Sequence, residues 1–400
     1  MKRQGFDGFG QRGFGKPLAS KGRLGILLVA GVIPVAWGQA VSAQPLQEVS
    51  VIAKKRAQNA SEVDISLNVI RPEVLQSLNI LNLPDATSLV ENVSLFEDFT
   101  GAGIPTWVIR GVGLQDFNSN NTPTAAIYVD GAYQVATIMG SAALLDINTL
   151  EVLKGPQGGL YGRNTSGGAV LLNSNRAQLD SRMAQFNAGV GNWGRYQFQG
   201  VVNNPVGANT AFRIALQSET GSDAWQDSLN ATGTQGDKDK LDVRSWLRHD
   251  FSDALRLEWK VQAGSDGSDI PLGRSMGLYD PANPGAFCSA VLAGHRDDST
   301  CINFAGVNRI AFGTGTPEVI SAQAKDGSAV FSDLINRQHN DYVSTVLELA
   351  WDLDEFSLVS ITAFDKYGYG VDLDLDASAG EYGHRLSSSD VRSWSQELRV

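Results

Sequence analysis

Apolar and polar residues alternate with a period of two through much of the C-terminal half of this chain. The clearest run is Leu255-Arg256-Leu257-Glu258-Trp259-Lys260-Val261-Gln262, with Leu, Leu, Trp and Val on one face and Arg, Glu, Lys and Gln on the other. That period belongs to a β-strand whose two faces meet different surroundings. Similar runs at 186–191, 196–202, 212–217, 241–249, 343–353, 356–365 and 392–400 bring the prediction to about eight strands from residue 183 onward. The connections 192–194, 203–209, 251–254 and 353–356 are short, and 221–238, 265–340 and 366–390 are long. With strands running up and down, most short connections fall at one end and the long ones at the other, although one loop at the long end, 192–194, is short. In lipid the apolar face would meet acyl chains and the polar face a wet lumen. In a soluble sandwich the apolar face would pack into a core.

The N-terminal half follows another rule. Residues 72–78 and 84–93 read as short helices, each with proline near its first turn, burying Leu75, Leu78, Leu89, Val90 and Val93. Between residues 107 and 173, short apolar strands end in glycine turns: Val108-Ile109-Arg110-Gly111, Ile127-Tyr128-Val129-Asp130-Gly131 and Val152-Leu153-Lys154-Gly155-Pro156. A fourth, Ala169-Val170-Leu171-Leu172, follows Tyr161-Gly162-Arg163-Asn164 and Gly167-Gly168. Asp130-Gly131 is a tight-turn signal, and Pro156 stops the strand before it. The glycine-rich stretch 155–168 lacks the Gly-Lys-Ser/Thr ending of a phosphate loop. Its glycines therefore read as turn formers.

In this order the motifs resemble the plug domain of TonB-dependent outer-membrane receptors, which import scarce nutrients through a plugged β-barrel. The resemblance implies an α+β plug domain over 62–177, followed by an antiparallel transmembrane β-barrel from 178 to 400. That barrel is incomplete in this chain, with about eight of roughly 22 strands. An eight-stranded barrel is filled by its own side chains, so the chain is expected to be the N-terminal part of a longer receptor. Just upstream, in the leader 44–61, Glu48-Val49-Ser50-Val51-Ile52-Ala53 resembles a TonB box, with Ser50 and Ile52 where Val and Thr are more usual. A free strand there would add to a sheet edge of TonB through main-chain hydrogen bonds. A solvated leader carrying the basic cluster Lys54-Lys55-Arg56 is the plainer alternative. The resemblance also gives Arg110 a pairing with barrel glutamates, Glu397 among the candidates. Lys154 stands where a second arginine is usual, without the bidentate fork. The alternative for Arg110 is an ordinary solvated charge. Loops 113–124 and 134–141 are expected to face outward, with Gln115, Asp116, Asn118 and Asn120 toward a polar ligand. Solvation alone explains that polarity equally well. Siderophore–iron, haem, cobalamin and saccharide all remain open as ligand.

Composition narrows the field further. A net charge of −11 argues against nucleic acid as partner. With 43 glycines and only 19% charged residues, the chain suits a turn-rich β protein. Lys16, Lys21 and Arg23 precede the uncharged run 24–37, and Val41-Ser42-Ala43 offers a cleavage site, so residues 1–43 read as a signal peptide. As a membrane anchor that run, broken by Pro34, falls short of the ~20 residues a span needs. In an exported chain Cys288 and Cys301 are expected to form a disulfide; without CxxC or paired histidines a metal site is the weaker reading. The four histidines are scattered, and Asp372, Asp374 and Asp376 read as a solvated or lumen-facing strand end rather than a Ca²⁺ loop. No catalytic constellation, resident metal or cofactor is expected. The expected partners are TonB, outer-membrane lipid and a small ligand such as a metal chelate. TonB-driven import is the first reading. A truncated, non-transporting receptor used in sensing or adhesion is the second, and a secreted β-sandwich the third.

Overall fold

The computed structural model describes residues 50–53, 55, 58–78, 80, 83–96, 105–114, 121–141, 144–221, 226–228, 234–273, 277–295, 300–303, 329–330, 332–377, 381 and 383–400. All lie in Glu48–Val400, one of the two units into which the chain divides.

Two short strands, β1 (Ser50–Val51) and β2 (Gln58–Asn59), pair antiparallel. Next come β3 (Leu67–Ile70), helices α1 (Pro72–Ser77) and α2 (Leu83–Thr87), and the hairpin of β4 (Val93–Phe96) and β5 (Thr106–Ile109). Then follow β6 (Ala125–Val129), β7 (Ala132–Gln134), β8 (Ile147–Lys154), α3 (Gly158–Tyr161) and β9 (Gly168–Ser174). A five-stranded sheet runs β3-β8-β9-β6-β7, antiparallel except for β6 beside β9.

Both faces of this sheet are covered, which is why its strands read as unbroken apolar runs rather than alternating ones. Ile127, Val152, Val170 and Leu172 pack on one side with Leu75, Leu83, Trp107 and Ile109. Ala126, Tyr128, Leu153, Ala169 and Leu171 pack on the other with Val51, Ala53 and Tyr161. Each large apolar side chain so buried contributes about 1.5–3 kcal/mol. Pro72 opens α1 as the sequence suggests. The second helix ends early, at Thr87. The Ser88 hydroxyl donates to Asp85 O at 2.6 Å, a local bond of the kind that competes with helix. Asn92 then takes φ +58 and turns the chain into β4, so Val93 lies opposite Ile109 in a strand. Asp130 and Gly131 have φ +51 and +83, both positive as the tightest hairpin turn requires. At Gly168 a Cβ would fall on the Leu153 carbonyl oxygen, so only glycine lets β9 pack there.

The second half forms one large antiparallel sheet. Along the chain come β10 (Met183–Val190), β11 (Arg195–Pro205), β12 (Thr210–Gly221), the small outer strands β13 (Gln226–Ser228) and β14 (Thr234–Gln235), then β15 (Lys238–Asp250) and β16 (Leu255–Asp266). The long connection after β16 carries β17 (Tyr279–Asp280), β18 (Asn283–Phe287), helix α4 (Ser289–Leu292), β19 (Ala329–Val330) and β20 (Arg337–Gln338). β21 (Asn340–Asp352), β22 (Ser357–Asp374) and β23 (His384–Arg399) complete it. The long strands follow each other in the sheet in chain order, with β10 and β23 at its edges. They match the eight alternating runs, with one correction. β22 and β23 extend through the region 366–390 that the sequence suggests is a loop, and pair as far as Asp374 with His384. Beyond Phe364 the polarity inverts. Lys366, Gly368 and Gly370 occupy the positions in register with Phe364, while Tyr367, Tyr369, Val371 and Leu373 pack with Ile138 and Met139 of the first domain.

Candidate functional site

The face of the large sheet that is polar in sequence is the face that is buried. Lys260 is 0% exposed, whereas its neighbour Trp259 is 45% exposed. Trp259 stands opposite Leu347 and Phe364 opposite Trp394, all on the open side. A water-soluble protein keeps its apolar face inside, and a sheet in lipid does the reverse. The soluble-sandwich alternative is therefore overturned. Among the described residues no helix is long and apolar enough to cross a membrane.

The polar face receives the first domain through buried ion pairs. Asp130, at the β6–β7 turn, accepts from Lys260 Nζ at 2.7 Å and from the backbone amide and hydroxyl of Ser174 at 2.7 and 2.8 Å. Trp246 Nε1 donates to the same Ser174 hydroxyl at 2.8 Å. Burial opposes the charge on Asp130, but the nearby Lys260 and Arg244 outweigh it and hold the carboxyl below the usual range. Arg213 forks onto Asp146 with both bonds at 2.6 Å. Arg176 reaches Glu258 and, at 2.8 Å, Glu348. Arg244 donates to the Leu145 carbonyl.

These are not the pairs anticipated from the motifs. Arg110 is exposed, with φ +53 before Gly111 at φ +80, and forms no ion pair among the described residues. Its turn is held instead by backbone, Arg110 N donating to Asn92 O at 2.8 Å. Lys154 is buried but donates within its own domain, to Glu91 O at 2.7 Å. Gly155, at φ +101 before Pro156, carries the chain into α3, and Gly162, at φ +73, ends that helix. Glu397, one of the candidate partners for Arg110, pairs with Lys55 at 2.6 Å. The reason is register: the C-terminal end of β23 lies beside Lys55, whose carbonyl accepts from Arg399 Nη1 at 3.4 Å.

That neighbourhood holds the segment expected to be a free strand, and it is not free. Ser50 and Val51 pair with Asn59 and Gln58, and a turn between them is closed by Lys55 N donating to Ile52 O at 2.7 Å. Val51 and Ala53 are fully buried. Ile52 N donates to both oxygens of Glu151, at 3.0 and 3.1 Å. The Tyr161 hydroxyl donates to Ala53 O at 2.9 Å and to Ile52 O at 3.3 Å. Burial raises the pKa of Glu151. Burial and the nearby Glu151 together push the Tyr161 hydroxyl well up, so it keeps the proton it donates. Burial likewise pushes Tyr128 up to about 12; its hydroxyl donates to Tyr161 O at 2.7 Å. Lys55 sits 5.6 Å and 5.3 Å from the centroids of the Tyr128 and Tyr161 rings.

Glu48, Val49 and the loop residues Gln115, Asp116, Asn118 and Asn120 lie outside the described residues. Cys288 and Cys301 are joined in a disulfide. Asp374 uses its carboxylate to close a turn, accepting from Asp376 N and Ala377 N at 3.0 and 2.9 Å. Sequence reasoning passed over Glu151, Asp146 and Lys260. The available signal was a lone carboxylate inside the apolar β8 for Glu151, and a place on the polar face of β16 for Lys260.

A domain with its own apolar core, fixed by charges to the polar face of an inside-out sheet, defines a plugged outer-membrane receptor. Residues 59–169 match the TonB-dependent Receptor Plug Domain family, and the chain is built as a TonB-dependent receptor, whose place is the outer membrane. The pesticin receptor of Yersinia pestis is 28% identical over 153 residues, covering 38% of this chain and 22% of that protein. The catecholate siderophore receptor Fiu of Escherichia coli is 24% identical over 220 residues, covering 50% of this chain and 27% of that protein. The chain thus spans about a quarter of the length of these relatives. Among solved structures, the ferric yersiniabactin uptake receptor FyuA from Yersinia pestis superposes with a TM-score of 0.58 at 17% identity, over 78% of this chain and 42% of that one. These relatives are transport receptors rather than enzymes.

Proposed function

We propose that this receptor imports a scarce small ligand, a metal chelate such as a ferric siderophore, with energy delivered by TonB to residues 48–53. The ligand binds from outside at the plug apices, the loops around 113–124 and 134–141, and at barrel loops. TonB then adds to the 48–53 strand and displaces part of the plug, and the ligand passes. On this reading residues 1–43 are the export signal, 44–61 the leader with the TonB box, 62–177 the plug and 178–400 barrel wall. The siderophore ligands named for similar receptors support the ligand class.

The observation that carries the reading is the Ser50–Ala53 segment. Its first two residues form a strand, the Lys55 that follows it contacts the C-terminal end of β23, and its main-chain groups are held by side chains as well as by that two-residue pairing. Such a segment can exchange those bonds for a partner's sheet edge. Val51→Pro removes a ladder donor. Uptake of a radiolabelled ferric chelate by cells carrying V51P should be lost while binding of that chelate to the cell surface is unchanged. Normal uptake by V51P would overturn the assignment.

A further inference from the structure

We propose that Lys366, Arg392, Asp341 and Asp390 form a site on the lipid side of the large sheet for the headgroup of an amine-bearing phospholipid. Its phosphate sits on the two cations and its amine faces the two carboxylates. The site depends on the apolar face of the sheet meeting lipid, and not on what the receptor imports.

Successive rungs of the outward face carry an ordered set of side chains. Phe364 stands opposite Trp394, both exposed. On the next outward rung Lys366 stands opposite Arg392, and on the one beyond, Gly368 lies between Asp341 and Asp390. All four charged side chains are exposed, and none forms an ion pair or a side-chain hydrogen bond among the described residues. Like charges directly opposite in a sheet repel each other. With Cβ atoms on one rung only about 5 Å apart, both cations can reach a single phosphate, whose charge relieves that repulsion.

Height in the membrane fits the same occupant. Lys366 is nine positions along β22 from its first residue, Ser357 (366 − 357). At about 3.3 Å per residue and a tilt near 40°, the strand rises about 23 Å over that length, close to the roughly 25 Å of a barrel's apolar band. Trp351 and Phe356, exposed beside the short turn, mark the opposite border. The cations thus stand where acyl chains end and lipid phosphates begin. The carboxylates follow about 7 Å further along the strands, on the side where a zwitterionic headgroup carries its amine. A headgroup with phosphate alone would meet their repulsion. Glycine leaves the space: a Cβ at Gly368 would fall 2.6 Å from Asp341 Oδ1. Gly370 continues the furrow to His339, whose Nε2 meets Asp372 at 3.3 Å.

The test uses the full receptor, purified in a mild detergent and titrated with phosphatidylethanolamine, phosphatidylglycerol or lipid A, with bound lipid counted by native mass spectrometry. The parent should hold phosphatidylethanolamine about threefold more tightly than phosphatidylglycerol, and more tightly than lipid A. Lys366→Gln combined with Arg392→Gln should weaken both phospholipids about tenfold, whereas Lys366→Arg should bind as the parent does. Asp341→Asn combined with Asp390→Asn should abolish the preference for phosphatidylethanolamine without weakening phosphatidylglycerol. All these side chains are exposed, and retained heat-modifiable migration on gels would show that each variant is folded. Undiminished phospholipid binding by the K366Q/R392Q variant would overturn the site. So would a parent that holds phosphatidylglycerol or lipid A as tightly as phosphatidylethanolamine.

Discussion

Taking Asp130 and Lys260 out of water costs several kcal/mol for each ion, and their mutual attraction offsets this only when other partners complete the site. Here Ser174 supplies two further bonds to Asp130, and Trp246 anchors the Ser174 hydroxyl. Removing one ion is therefore far worse than removing both. Lys260→Met should destabilise plug seating by about 3–5 kcal/mol, read as a lowered urea midpoint of the receptor in detergent micelles. The double variant Asp130→Asn with Lys260→Met should recover most of that loss. A K260M midpoint equal to the parent's would show that the pair does not seat the plug. The pH response follows from the depressed carboxyl of Asp130. Its contribution is fully present above the unfolded-state value of about 4 and is lost as pH falls toward the folded-state value. Urea midpoints should thus show no loss from this pair between about pH 7 and 5, and weakening only below about pH 4.

At the scale of elements, the alternating strands were legible in sequence because lipid on one side and a polar interior on the other impose opposite demands on successive residues. Leu257, Trp259 and Val261 could be assigned to one face without any knowledge of their neighbours. The outer half of β22 was not legible for the same reason. Past Phe364 the apolar positions turn inward, so Tyr367, Tyr369 and Val371 meet Ile138 and Met139 and the expected alternation reverses phase. The plug strands showed their glycine turns but not their partners. Which charge meets which, Asp130 with Lys260 or Lys55 with Glu397, depends on register between segments separated by 130 and 342 positions, and local pattern does not encode that. The long connection holding β17, β18 and α4 is stitched by Cys288–Cys301, two residues 13 positions apart. Replacing both cysteines by serine should speed proteolysis within 277–303 while leaving the melting of the large sheet unchanged, since the cross-link restrains only its own short loop. Lowered melting of the whole sheet would show that this loop supports the barrel.

At the scale of the molecule, the sheet has its apolar side outward, and one substitution tests that orientation. Trp259→Arg should cost about 2–4 kcal/mol if Trp259 lies near the middle of the bilayer, measured by urea unfolding from lipid vesicles. The same change in a surface strand facing water would cost little, so an unaltered midpoint would contradict lipid contact at this face. The two-stranded pairing of β1 with β2 and the edge position of β3 have a mechanical consequence. A pull applied at Ser50 loads the Ser50–Asn59 rung before the Val51–Gln58 rung, and the hairpin opens like a zipper, one rung at a time. The next strand reached, β3, lies at the edge of its sheet and is bonded only to β8, starting with Leu67 opposite Leu153. It too can be peeled from its end, whereas β8 lies between two neighbours and resists. A pull entering at β1 therefore meets single-sided pairing through β3 and double-sided pairing first at β8.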